Sequence, residues 1–428
     1  AFLDSLSGAE KNQKKVTEIF RPRPSPSSPQ KERVLYFPYM NDAAYLLAAA
    51  ARSCGIPSEV LPKQTAEDLA IGRKYTSSKE CFPMICTTGS FIKKLTEPGA
   101  DPSKMSFFMP DHNGPCRFGQ YNQFHRILFD RLGFHEAELI TPSNDTSYED
   151  IAGEHGQKFR INAWKGFIVS DYLRKIYRET RPYEVNKGDS DKLYAKSLMR
   201  LEKCIENGSK GLHRILAEIA SDFLAVNTNK SQKKPVVAII GEIFMRDNAF
   251  CNGNIANRLE DLGVEVIITP FSEWLTYSTY RFTRDSKWKN DKKGILKSKI
   301  QGIGQEVIAA SLIRGIRKFT DHEKDVSLHD MLSLCNKYVN QYYDGDPPIA
   351  MGTSAALVKR GVSGMAAILP FTCMPGTLIA SVSDSFRKDN QNIPFINIAY
   401  DGQDTVSLDT RLQAFVFQVK EYAMNSQL

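Results

Sequence analysis

Short apolar runs alternate along the chain with stretches whose apolar positions recur every three or four residues, and the alternation occurs in two separate blocks. Arg33 to Tyr39 predicts a buried strand, and the alanine-rich stretch from Asn41 to Cys54 predicts a helix capped by Asn41 and stopped by Gly55. Strands are expected over Ser58 to Leu61 and Met105 to Pro110. Helices are expected over Ala66 to Tyr75, Met84 to Leu95 and Gln120 to Leu132, the last ended by Gly133. From about Tyr148 to Asn229 strand signals thin out and long amphipathic stretches take over, Lys192 to Ile205 and Gly211 to Val226 among them. Alternation resumes at Val236 to Gly241, the cleanest buried strand in the chain. A helix follows from Ile255 to Leu262, with strands at Val264 to Thr269, Gly364 to Leu369 and Pro394 to Ala399, and inserted helices over Leu296 to Lys318 and Ser327 to Tyr343. The pattern predicts an α/β protein: a linker over 1–30, a parallel-sheet domain over 31–147, a helical connecting region over 148–232 and a second α/β domain over 233–428.

Composition narrows the function classes. With 428 residues, 42% hydrophobic and 25% charged, the chain reads as soluble and globular. Eight cysteines are too sparse for a disulfide scaffold, which points to a reduced, cytoplasmic compartment. No run approaches the roughly 18 apolar residues of a membrane span, and no signal peptide is seen, so no membrane partner is expected. The net charge of +7 is modest, and the basic segment Arg281 to Lys299, with Trp288 inside it, reads as a solvated surface loop more than a nucleic-acid site. The proline-rich stretch Arg21 to Gln30 has a stiff linker composition, and a chain starting at Ala1 suggests that something preceded it.

Three cysteines carry the candidate chemistry: Lys79-Glu80-Cys81-Phe82-Pro83, Gly114-Pro115-Cys116-Arg117-Phe118-Gly119 and Thr372-Cys373-Met374-Pro375-Gly376. Proline suits a first helical turn and glycine admits close backbone approach, so each looks like a loop presenting sulfur at a helix entrance. There the positive end of the helix favours the thiolate that binds metal. Cys116 and Cys373 follow strand ends and Cys81 precedes a helix in the first domain, so all three fall where open α/β sheets bind ligands. Three cysteine ligands would leave one iron of a 4Fe-4S cluster open. Zinc, with three ligands and a water, is the rival; wide spacing and the lack of a compact Cys-x-x-Cys favour iron.

The other cysteines read as core residues, with Cys251 the best remaining candidate for a fourth ligand and Cys86 pointing away from Cys81. His112, four residues before Cys116, is a candidate proton donor. Glu242 and Arg246, on the loop after Val236 to Gly241, are candidate substrate-binding or catalytic groups. Lys79, Arg117 and Arg246 are placed to offset cluster charge, and Gly376 to let the backbone approach a cofactor. Asp401 to Asp404 follow another strand end and line the same edge or cap the Leu408 helix.

These residues resemble the 2-hydroxyacyl-CoA dehydratase family, most closely the acyl-CoA dehydratase activase-related branch. The resemblance runs from about Arg33 to Tyr422. It is strongest at Tyr75 to Pro83, Asn113 to Tyr121, Gly241 to Arg246, Cys373 to Gly376 and Tyr400 to Gln403. It implies a subunit of two flavodoxin-like (Rossmann-like) domains holding a 4Fe-4S cluster through Cys81, Cys116 and Cys373, and an oligomeric assembly. It also implies single electrons supplied by an ATP-hydrolysing activator protein or fused activator domain, and loss of water from a 2-hydroxyacyl-CoA through a ketyl radical. Related double-cubane cluster proteins join two cubanes and reduce small molecules. The chain has no phosphate-loop fingerprint, so the ATP step falls to a partner or a further segment. Cys251 matches no ligand position of the family. The alternatives are a double-cubane reductase, a non-catalytic electron-transfer subunit and a metal-free small-molecule binder.

Overall fold

The computed structural model describes residues 32–77, 79–112, 114–142, 149–314, 326–403 and 407–425. The proline-rich start, Ser78, Asn113, Asp404 and the end of the helix expected to reach Lys318 lie outside these residues.

Two four-stranded parallel sheets form the frame. The first takes β1 (Val34–Phe37), β2 (Ser58–Val60), β3 (Met105–Phe108) and β4 (Glu138–Ile140) in the order β2-β1-β3-β4. The second takes β5 (Val236–Gly241), β6 (Glu265–Ile268), β7 (Gly364–Pro370) and β8 (Phe395–Tyr400) in the order β6-β5-β7-β8. Each order is flavodoxin-like, and in each the direction of winding reverses between the first and third strands, opening a crevice at their carboxyl ends. Leu35 pairs with Ser58 and Ser106, and Ile239 with Ile268 and Ala366.

Strands β1, β5 and β7 are covered on both faces, which is why they read as continuous apolar runs. Leu35 and Phe37 join one core and Tyr36 another, while Val237 and Ile239 face away from Ala238 and Ile240. The region expected to be a helical connection forms helices Gly156–Thr180, Asp189–Glu206 and Leu212–Leu224. These pack on the helix Ala43–Arg52 in one core with Leu35 and Phe37, so they roof the first sheet. The halves also share a core, in which Leu69, Phe82 and Ile85 meet Ile239 and Ile368.

The segment Arg281 to Lys299 is helical, which corrects the expectation of a surface loop. It spans the end of helix Ser272–Trp288 and the start of helix Lys292–Arg314, the latter begun by Asp291, whose carboxylate accepts from the amides of Lys293 (3.1 Å) and Gly294 (3.0 Å). Its charge misled because Arg281 and Arg284 are buried against Asp344, at 3.0 and 2.8 Å. Strand β4 and helix Asp346–Val358 were not anticipated; β4 is short and opens on the charged Glu138, which breaks its apolar run.

Candidate metal centre

The crevices of the two sheets face one cavity of about 300 Å³. The segments after β1 (Pro38, Met40, Asn41), β3 (Met109 to Arg117), β5 (Glu242 to Phe244) and β7 (Pro370 to Pro375) all supply residues to its wall. Cys81, Cys116 and Cys373 lie on that wall together with Phe118, Tyr121, Trp274 and Asp346. The volume is at the lower end of the usual range of about 300–1,000 Å³ for small-molecule sites. A second hollow, about 510 Å³, lies against β6 and the helix Gly156–Thr180 and includes none of the candidate residues.

Each of the three cysteines is the N-cap of a helix: Cys81 of Phe82–Leu95, Cys116 of the 3₁₀ turn Arg117–Gln120 that leads into Tyr121–Arg131, and Cys373 of Met374–Asp389. Pro83 and Pro375 occupy the first turns, where no amide donor is needed. The sulfurs accept from backbone amides, Cys116 from Phe118 (3.5 Å) and Cys373 from Gly376 (3.4 Å). Cys81 shares a short hydrogen bond with the Tyr121 hydroxyl. Gly376 therefore acts through its amide, and a Cβ there would lie 3.2 Å from the Cys373 Cβ.

At all three thiols burial outweighs the backbone amides of the helix starts, which lower them. It is the largest influence on all three and raises them, Cys373 to about 12 and Cys116 further. The Tyr121 bond opposes the rise at Cys81, and Glu242 adds to it at every one of the three. The three cysteines and Glu242 line the same cavity, and a bound cation would ionise thiols that water does not.

Glu242 caps the short helix Ile243–Asp247, accepting from the amides of Phe244 (3.2 Å) and Met245 (2.8 Å). Burial, and then Asp346, raise it well above the carboxylate range. Asp346 is raised by burial, with Arg246 pulling it down, and accepts from the Trp274 indole at 3.2 Å. Arg246 is buried behind the wall, donating to the Pro270 carbonyl at 3.0 Å, and its charge lowers both Asp346 and Glu242. His112 lies on the wall, within 3.4 Å of the Arg281 guanidinium. Burial and Arg281 lower it to about 4, which favours the neutral ring near neutral pH.

Arg117 does more than add charge. Its guanidinium donates to the Lys79 carbonyl and, at 2.9 Å, to the Thr372 carbonyl, so the residue after one cysteine ties the loops that precede the other two. Lys79 takes part through its backbone and is exposed, off the cavity wall. Thr372 is held at φ +62, a costly conformation for a β-branched residue and of the kind that clusters at functional sites. Cys251 lies off the wall, its sulfur 3.4 Å from that of Cys86 inside the shared core.

Sequence reasoning missed Tyr121, Asp346 and Trp274. Tyr121 closes the Cys116 segment, and Asp-Pro-Pro at 346–348 is a helix-start signal that would have flagged Asp346.

The donor set suits a soft metal: three thiols, each under a helix amino end. Among the described residues no group of three or more His, Cys, Asp or Glu is arranged to hold a metal ion. No described helix is long and apolar enough to cross a membrane. No family model and no curated protein matches the chain.

Proposed function

We propose that Cys81, Cys116 and Cys373 hold a 4Fe-4S cluster, and that the chain, given single electrons by an ATP-hydrolysing activator, removes water from a 2-hydroxyacyl-CoA. One observation carries the reading: three cysteines at helix N-cap positions, from both halves of the chain, on the wall of one largely apolar cavity. When bound, such a cluster supplies a low-potential electron and an iron with an open position.

The chain's own residues do the rest. Phe118, Trp274 and Met109 exclude water around the reacting group and strengthen every electrostatic contact inside. Glu242, raised by burial and by Asp346, holds a proton on its carboxyl toward neutrality and is the donor for the departing hydroxyl. Neutral His112, packed 5.1 Å from the Trp274 ring, offers a hydrogen bond without a charge. Arg117 holds the three ligand loops in register.

The test is turnover. The anaerobic protein, with an activator of this type, ATP and a reductant, is offered a 2-hydroxyacyl-CoA, and 2-enoyl-CoA is measured. Product that disappears in Cys81→Ala and falls at least tenfold in Glu242→Gln is expected. Iron-replete protein that reduces small molecules without any coenzyme A thioester would contradict the dehydratase assignment.

A further inference from the structure

The helix Lys292–Arg314 packs one face into the molecule and carries an apolar stripe on the opposite face. Its inner face carries Gly294, Ser298 and Leu312, all buried, with Gln301 and Gln305 on the wall of the cavity. Its outer face carries Leu296, Ile300, Ile303 and Val307, each 61–63% exposed. A contiguous exposed apolar stripe of this kind marks an interaction surface.

The spacing of the stripe is specific. Steps of four, three and four residues are those of a coiled-coil seam, with Leu296 and Ile303 at d positions and Ile300 and Val307 at a positions. A seam of this spacing packs against a like seam on a second helix. Charge then selects the direction. The start of the helix is basic (Lys292, Lys293, Lys297, Lys299), so two copies side by side in parallel would set like charges together. Turned antiparallel about a two-fold axis near residues 301–302, Leu296 meets Val307 of the second copy and Ile300 meets Ile303. Lys299 then falls opposite Glu306, twice over by symmetry, because both occupy g positions flanking the seam.

We infer that the outer face of this helix is the surface on which two copies of the chain pair, antiparallel, through Leu296, Ile300, Ile303 and Val307. The stripe spans about 16 Å at 1.5 Å per residue, short for a permanent interface, so the pairing is expected to be weak and reversible. The inner face of the same helix walls the cavity, which places the dimer seam one helix thickness from the candidate metal centre. The inference is independent of what the cavity holds.

Sedimentation velocity on the full chain over a concentration series tests it. The parent protein is expected to pass from monomer to dimer. Ile303→Asp, on an exposed position that leaves the circular dichroism spectrum and melting temperature unchanged, raises the dissociation constant about tenfold or more. Lys299→Glu and Glu306→Lys each weaken the dimer, and the two together restore it. A parent protein that stays monomeric throughout overturns the inference, as does a dimer indifferent to Ile303→Asp. So does a stripe whose only activity is Ile303-dependent binding of the monomer to vesicles of anionic lipid.

Discussion

The two sheets have the same strand order and bring the same crevice to the same cavity, yet they furnish it differently. The first half supplies two thiols, the tyrosine bonded to one of them and a histidine held neutral. The second supplies one thiol and two carboxyls raised by burial. The turn that leaves the first strand differs too. In the first half β1 runs into Pro38, whereas β5 ends at Gly241, with φ +114 and an added Cβ only 2.3 Å from the Ile368 carbonyl. That close approach sets Glu242 directly over the crevice. Topology chooses the place, and the residue at the strand end chooses the chemistry.

The largest effect expected from breaking this contrast is at Gly241. Gly241→Val has neither the space nor the backbone conformation, and should cost about 4 kcal/mol or more of stability in a denaturant titration, while Pro38→Ala costs about 1 kcal/mol or less. Next comes pH. His112 titrates at about 4 in the folded chain against an ordinary 6.5, so the unfolded chain takes up the proton first and the stability His112 contributes is lost as pH falls from 6.5 toward 4. His112→Gln should flatten that acid limb, worth on the order of 2–3 kcal/mol. Glu242 runs the other way. Raised above the ordinary 4.5, it contributes stability that is complete below that value and lost as pH rises through its folded value, so Glu242→Gln flattens the loss toward neutral and alkaline pH in thermal melts.

Smaller effects sharpen the difference between cavity thiols and core thiols. Cys251→Ala should lower stability by about 1–2 kcal/mol, since it empties part of the shared core, and leave iron content unchanged. Arg117→Ala, at an exposed guanidinium, should change the melting temperature least, by less than about 1 kcal/mol equivalent, and yet speed loss of iron to a chelator. Arg117→Lys should behave like the alanine variant, because one ammonium on a flexible stem lacks the planar fork that joins both carbonyls.

Much of the frame was legible because a strand buried on both faces leaves an unmistakable apolar run. Helix Ala66–Tyr75 appears at the bounds expected of it, and Val236 to Gly241 is a strand over its whole length. The segments around Cys81, Cys116 and Cys373 were readable as helix entrances because proline and glycine restrict the backbone locally. What escaped depends on distant neighbours. The neutral state of His112 comes from burial and from Arg281, 169 residues away, and the elevation of Glu242 from Asp346 on another helix. The clamp by Arg117 on Lys79 and Thr372 joins three loops that no local pattern connects. Counting charges over Arg281 to Lys299 could not reveal that two of its arginines face inward to Asp344.

Iron and acid-labile sulfide counted per chain after anaerobic purification test the central claim most directly. The account predicts about four of each in the parent protein, with Cys86→Ala unchanged and Cys81→Ala, Cys116→Ala and Cys373→Ala each losing most of both. Parent protein without iron, or all three variants retaining the parent's content, would contradict it.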